Sequence, residues 1–277
     1  MTLTDALQSL AQAGIARLEA QNLLLMALGR DPHDRAWLLA HDTDPLGDAA
    51  QARLQELVGR HRSGEPMGYL RGEQEFFGLP LHVDPRVLVP RPDTETLVQW
   101  ALDVLGGLHQ PATAIDLGTG SGAIALALAK QSPKLAITAT DASEAALAVA
   151  RHNAERLGLP LHLAAGAWFE AVPGQCFHLA VSNPPYIAEG DPHLAALRHE
   201  PIGALTAGPD GLDDIRTLVS QAPDHLHPGG WLLLEHGHDQ APAVQALMRQ
   251  AGFADVSSRT DLAGIARCTG GRWPAAR

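Results

Sequence analysis

Lysine is nearly absent from this 277-residue sequence: Lys130 and Lys134 are the only two, and the remaining basic residues are arginines. That is a compositional bias rather than a functional signal. Cysteine is equally scarce. Cys176 and Cys268 belong to no Cys-x-x-Cys pair and cannot form a disulfide framework, so a reducing interior fits. Positive charge is in deficit, with 20 basic against 31 acidic residues and a formal net charge of −11. Such a surface repels phosphate backbones, and no direct nucleic-acid partner is expected without a local basic patch. Long apolar runs are missing too. The longest, residues 123–129, is far short of the roughly 20 residues a membrane-spanning helix needs, so no membrane association is expected. Residues 1–14 show no basic stretch followed by an apolar one, so no signal peptide is read and a cytoplasmic location is expected. What is present is 45% hydrophobic and 18% charged residues, enough for a packed core in one large domain or two smaller ones.

Residues 1–62 have helical periodicity. Thr4 is placed to cap a first helix carrying Leu7, Leu10 and Ala11. A second helix, 17–28, carries Leu18, Leu24, Leu25 and Leu28 and stops at Gly29 and Asp31-Pro32. Helices at 35–40 and 48–61 complete a small bundle, the last with Leu54, Leu57, Val58 and His61 on one face. Residues 63–90 read as a linker. After the turn chemistry of Ser63-Gly64-Glu65-Pro66, strands at 69–77 and 79–83 form a hairpin. From 91 to 277 a third segment opens with a helix behind Pro90-Arg91-Pro92-Asp93-Thr94-Glu95, whose buried stripe is Leu97, Val98, Ala101, Leu102 and Leu105. Strands at 113–117, 136–140, 161–164, 179–182 and 231–235 then alternate with helices, and 254–258 and 265–268 close the pattern. This predicts an α/β fold with a mainly parallel sheet covered on both faces.

Two motifs carry chemistry. The first is Asp116-Leu117-Gly118-Thr119-Gly120-Ser121-Gly122, between a strand and a helix. Its glycines let the backbone turn sharply and approach a ligand, and the helix start behind them offers unpaired N–H groups. Asp141 closes the next strand, where a carboxylate can accept both hydroxyl protons of a ribose. Gly118, Gly120 and Ala123 also satisfy the dinucleotide pattern, so a nicotinamide-dependent oxidoreductase stays open at this point.

The second motif is Asn183-Pro184-Pro185-Tyr186 after an apolar strand, at the carboxyl end of the sheet where open α/β folds bind ligands. The prolines donate no hydrogen bond and stiffen the loop, leaving carbonyls free to accept. Asn183 adds a side-chain carbonyl and Tyr186 a flat face. Methylating a planar N–H₂ group needs such a set. The nitrogen lone pair is delocalised, and two acceptors gripping both N–H protons favour pyramidalisation and aim the lone pair at an electrophilic methyl. The oxidoreductase alternative gives this tetrapeptide no role.

Taken together, residues 90–95, the glycine loop, the Asn183 motif and Leu234-Glu235-His236-Gly237 resemble the PrmC/HemK family, over nearly the whole chain. These are class I S-adenosylmethionine-dependent enzymes that methylate a glutamine N5 of peptide chain release factors. The resemblance implies a Rossmann-like domain with a seven-stranded sheet at 91–277, a helical substrate-recognition domain at 1–62, and a monomer. It implies that Gly118, Thr119, Gly120, Ser121 and Gly122 hold the methionine part of S-adenosylmethionine, Asp141 its ribose, and that Trp168 lies beside the adenine. Asn183 and the Pro184 carbonyl would bind the substrate amide, with Pro185 and Tyr186 packing near it, and the substrate would be the glutamine of a Gly-Gly-Gln motif. Ala167 departs from the family, where Asp often precedes the aromatic residue. A ribosomal-protein glutamine or an adenine N6 in nucleic acid are the other N–H₂ groups to consider, and net acidity counts against the second.

Other candidates are set aside. His236 and His238 beside Glu235 are read as a polar loop lining the pocket, not as metal ligands. His61 is read as a packed bundle residue, and Asp191-Pro192 and Asp213-Asp214 as helix caps and solvated faces. Ser121 sits in no Gly-x-Ser-x-Gly elbow and is not a nucleophile.

Overall fold

A computed structural model of the chain describes residues 1–108 and 111–274. The last three residues of the expected 91–277 segment lie outside the described residues. The chain divides into two compact units, Met1–Glu73 and Gln74–Arg277.

The first unit contains five helices: α1 (Leu3–Gln12), α2 (Arg17–Ala27), α3 (Arg35–Ala40), α4 (Asp48–Arg62) and α5 (Met67–Arg71). Thr2, not Thr4, caps α1. Its hydroxyl accepts from Asp5 N while the Asp5 carboxylate accepts from Thr2 N, a reciprocal capping box. Leu3, Leu10, Leu23, Leu24, Leu25, Leu54 and Leu57 form the core. His61 is half-buried and faces Glu19 at 3.5 Å rather than packing into that core. The strand expected from residue 69 does not begin there. Pro66 opens one more helical turn, α5, and Gly72 ends it at φ 70°, a left-handed position that favours glycine. The hairpin is therefore short, β1 (Glu73–Phe76) and β2 (Leu79–His82).

In the second unit, Pro92–Thr94 form one 3₁₀ turn before α6 (Glu95–Gly106). The strands β3 (Thr113–Leu117), β4 (Ala136–Asp141), β5 (His162–Ala165), β6 (Phe177–Ser182), β7 (Leu226–Glu235), β8 (Ala254–Thr260) and β9 (Ala266–Arg272) form one sheet. Its order is β5-β4-β3-β6-β7-β9-β8. The first five strands pair in parallel, and β9 pairs antiparallel with β7 and β8. Between them lie α7 (Ala123–Gln131), α8 (Glu144–Leu157), α9 (Asp213–His225) and α10 (Ala241–Gln250).

The period-2 alternation of strands sorts the core into two layers. Ala114, Leu179, Val181 and Leu233 pack with Leu97 and Trp100 of α6 and Leu126 and Leu128 of α7. Ile115, Leu117, Ala180, Leu232 and Leu234 pack with Ile215 and Leu218 of α9 and Val244 of α10. Both faces of the sheet are thus dry, and the parallel strands read as continuous apolar runs. The strand order reverses direction at β3, with β4 on one side and β6 on the other. That switch point, at the carboxyl ends, opens a crevice.

Candidate active site

The crevice is a cavity of about 520 Å³, within the range of roughly 300–1,000 Å³ usual for small-molecule sites. It brings together Gly118, Thr119, Gly120, Ser121, Asp141, Trp168, Asn183 and Pro185 among the expected residues. Gly122, Pro184 and Tyr186 are not on its lining. Arg86, Val87, Leu88 and Pro90 form a second wall, and Pro201, Gly203 and Ala204 a third. Those two walls are tied together by Glu200, whose side chain is almost fully buried. It accepts a 3.0 Å bond from Val89 N and pairs with the Arg91 guanidinium.

The glycine loop is held at both ends. Gly118 N and Thr119 N donate to Thr140 O at 2.9 and 2.8 Å, fastening the end of β3 to β4. Gly118 adopts φ 72°, and a Cβ there would come within 3.0 Å of the Trp168 ring. Only a residue without a side chain lets the indole lie this close. The space beside Gly120 is open to 4 Å, so the backbone itself faces the cavity. Gly122 lies behind this surface as the left-handed residue, φ 85°, that starts α7.

Asp116 lies beneath the loop, 1% exposed. Its Oδ2 accepts from the Thr119 hydroxyl at 2.6 Å and from Ala125 N at 3.2 Å, while Oδ1 has no partner among the described residues. Burial pushes its pKa up to about 7, with the Thr119 and Ala125 hydrogen bonds pulling the other way. Asp141 splits its carboxylate between two backbone donors, Gly120 N at 2.9 Å and Ser143 N at 2.8 Å. Each carboxylate oxygen keeps a further lone-pair site for a ligand.

Trp168 has φ 51°, a strained value for a bulky residue and a mark of a constrained site. Its side chain donates a hydrogen bond to Asp214, whose pKa rises chiefly because the carboxyl is partly buried. Asp214 also lines the cavity, so it is not the solvated helix-face residue that the sequence suggests. The only local signal for this was its place in the first turn of α9, which it shares with Asp213.

The Asn183 carboxamide nitrogen donates to the Thr94 hydroxyl at 3.2 Å. Thr94, at the entry to α6, is 4% exposed. Beyond it lies Glu235, the last residue of β7, at 1% exposure. Burial pushes the Glu235 pKa up to about 7, and the Thr94 and Tyr186 hydroxyls lower it in part. The Tyr186 hydroxyl approaches Glu235 Oε1 at 3.5 Å, and Glu235 Oε2 has no partner among the described residues. Tyr186 is therefore directed beneath the site, and burial raises its own pKa. The Tyr186 carbonyl accepts from Gln240 Nε2 at 3.0 Å, which fixes the end of the loop.

His236 is not on the cavity wall. It is fully buried, with Nε2 at 2.8 Å from Thr269 Oγ1 and Nδ1 at 2.9 Å from Gly237 O, and burial lowers its pKa. His238 is exposed. Asp191 accepts from His193 N at 2.8 Å and caps a short 3₁₀ turn.

The PrmC N-terminal domain family matches residues 2–72, and the methyltransferase small domain family matches residues 99–200. A release factor glutamine methyltransferase of Bordetella pertussis is 53% identical over 274 residues, covering 98% of this chain and 99% of its own length. One from Burkholderia pseudomallei is 49% identical over 278 residues, covering 97% of this chain and 96% of its own. Among solved structures, a methyltransferase from Pyrococcus furiosus is 20% identical and matches with a TM-score of 0.54 over 82% of this chain and 100% of that one, a likeness of fold.

Proposed function

We propose a reaction for this site from the premise that the chain belongs to the family of release factor glutamine methyltransferases, as full-length relatives at 53% and 49% identity establish. The enzyme transfers a methyl group to the side-chain N5 nitrogen of the glutamine in the Gly-Gly-Gln motif of peptide chain release factors. S-adenosylmethionine, when bound, supplies a methyl group made electrophilic by a sulfonium sulfur.

The residues present fit that cofactor. Gly118 to Ser121 line the cavity, and the buried Asp116 Oδ1, unpaired among the described residues, lies beneath their loop. Asp141 offers acceptors to a ribose. Trp168 gives a planar wall against Gly118, and Asp214 sits beside it as an acceptor for a nucleobase amino group, in a chain that has Ala167 where the family often has Asp. Asn183 carries the reading, because its carboxamide nitrogen is used by Thr94 and its oxygen is left for the substrate. Asn183 Oδ1 and the Pro184 carbonyl take one N–H each of the glutamine amide, hold the nitrogen in line, and stabilise the positive charge that grows on it. Pro185 borders the glutamine side chain. Tyr186 supports the loop from below. The helical residues 1–62 recognise the release factor, with 63–90 as the link, and the enzyme works as a cytoplasmic monomer.

Methyl-labelled S-adenosylmethionine incubated with the enzyme and separate pools of release factor, ribosomes and DNA tests this. Label is expected in the release factor and lost when its Gly-Gly-Gln glutamine is replaced. Label in DNA or in a ribosomal protein alone would overturn the assignment.

A further inference from the structure

Asn183 presents two chemically opposite ends, a carbonyl that accepts and an N–H₂ that donates. A substrate amide nitrogen can be gripped only by the carbonyl. Something must therefore prevent the carboxamide from turning over, and the two adjacent prolines restrain the backbone without selecting a face of the side chain.

We propose that Thr94 and Glu235 form a positioning relay that fixes the Asn183 carboxamide with its oxygen toward the substrate; this rests on the amide-methylation reading above. The Thr94 hydroxyl has one proton and two lone pairs. Glu235, buried at 1%, is acceptor-only once ionised, above about pH 7, and then claims that proton. Thr94 Oγ1 is then left as an acceptor, and the group it meets at 3.2 Å is Asn183 Nδ2. With the nitrogen engaged, Oδ1 points away from Thr94 within the carboxamide plane. The Tyr186 hydroxyl also turns toward Glu235, so the carboxylate collects the donors behind the loop and keeps them out of the cavity. Arg267 lies near enough to Glu235 to favour its anion, and Asp93 opposes it.

Neither relay residue is on the covalent path. Both act through Asn183, so their loss is expected to separate catalysis from cofactor binding. Thr94→Val keeps the shape of the side chain and removes both donor and acceptor. With release factor as substrate, its kcat is expected to fall ten- to a hundredfold. The Kd for S-adenosylhomocysteine, measured by calorimetry, should stay within about twofold of wild type. Thr94→Ser retains the hydroxyl and should recover kcat to within about threefold. Thr94→Ala, which adds no strain, is the second variant if Thr94→Val fails to fold, with the same expectation. A Thr94→Val or Thr94→Ala enzyme with wild-type kcat overturns the relay. So does a Thr94→Ser enzyme as slow as Thr94→Val. Wild-type enzyme that leaves release factor unlabelled would instead sink the functional reading itself, so the two failures are distinguishable.

Discussion

At the scale of single residues, the two tasks proposed for the cavity, gripping a cofactor and gripping an amide, fall on different side chains. Asn183 is committed to Thr94 on one side, and nothing in the glycine loop hydrogen-bonds to it. Asn183→Ala should therefore lower kcat by about a hundredfold or more, some 3 kcal/mol of transition-state stabilisation, with cofactor affinity nearly unchanged. Single-turnover methylation set beside S-adenosylhomocysteine calorimetry checks this. Equal losses in both would make Asn183 a scaffold residue. Asp141→Ala should show the reverse pattern, with a weaker Kd as its main effect. Its carboxylate also accepts from Gly120 N and Ser143 N, so removing it frees the loop as well as the proposed ribose acceptor. The Asp141→Asn variant should lie between the two, since one oxygen remains to accept.

At the scale of elements, Asn153 on α8 joins three segments. It is fully buried, accepts from His82 N at 2.7 Å, and donates to His82 O at 3.0 Å and Ser121 O at 2.9 Å. The end of β2, the glycine loop and α8 are thereby held by one carboxamide. Asn153→Ala would strand one buried backbone donor and two acceptors, at a cost of about 2–4 kcal/mol. A urea midpoint shifted downward with an unchanged slope would show it, and a midpoint equal to wild type would refute it. Most element positions were legible in the sequence. The strand at 113–117 and the helices at 144–157 and 213–225 fall where local apolar periodicity places them. The strand expected from residue 69 did not survive, because Pro66 and Gly72 delimit a helical turn too short to show periodicity. Asn153 itself carried no signal. A polar residue on a helix face is ordinary until two distant backbones are seen to meet there.

At the scale of the whole molecule, burial of acids inside an acidic protein has a consequence for stability. Asp116 and Glu235 have pKa values pushed up to about 7, against ordinary values of 3.8 and 4.5. Unfolded, both release their protons near pH 4; folded, only near pH 7. Between those limits the unfolded state binds fewer protons, so their contribution to stability is fullest at the acid end and declines as pH rises through about 7. His178 and His236, whose pKa values burial lowers, act oppositely around the ordinary imidazole range. Comparison with a variant isolates the acid contribution. Melting temperatures of Asp116→Asn should fall less steeply than those of wild type between about pH 4.5 and 7. Parallel curves would mean that Asp116 ionises as easily in the folded protein as in the unfolded one.

The sequence by itself determined the alternation of strands and helices, the glycine turn and the stiff Asn183-Pro184-Pro185-Tyr186 loop. Each depends on residues within a few positions of one another, where covalent geometry and periodicity act directly. Only the tertiary structure decided which way the Asn183 carboxamide faces. The parallel register that pairs Ser182 with Leu234 sets Asn183 and Glu235 at adjoining strand ends, and the packing of α6 on that sheet brings Thr94 between them. Such a meeting of three segments is fixed by hydrogen-bond register and close packing across the sheet, and no local pattern along the chain encodes it.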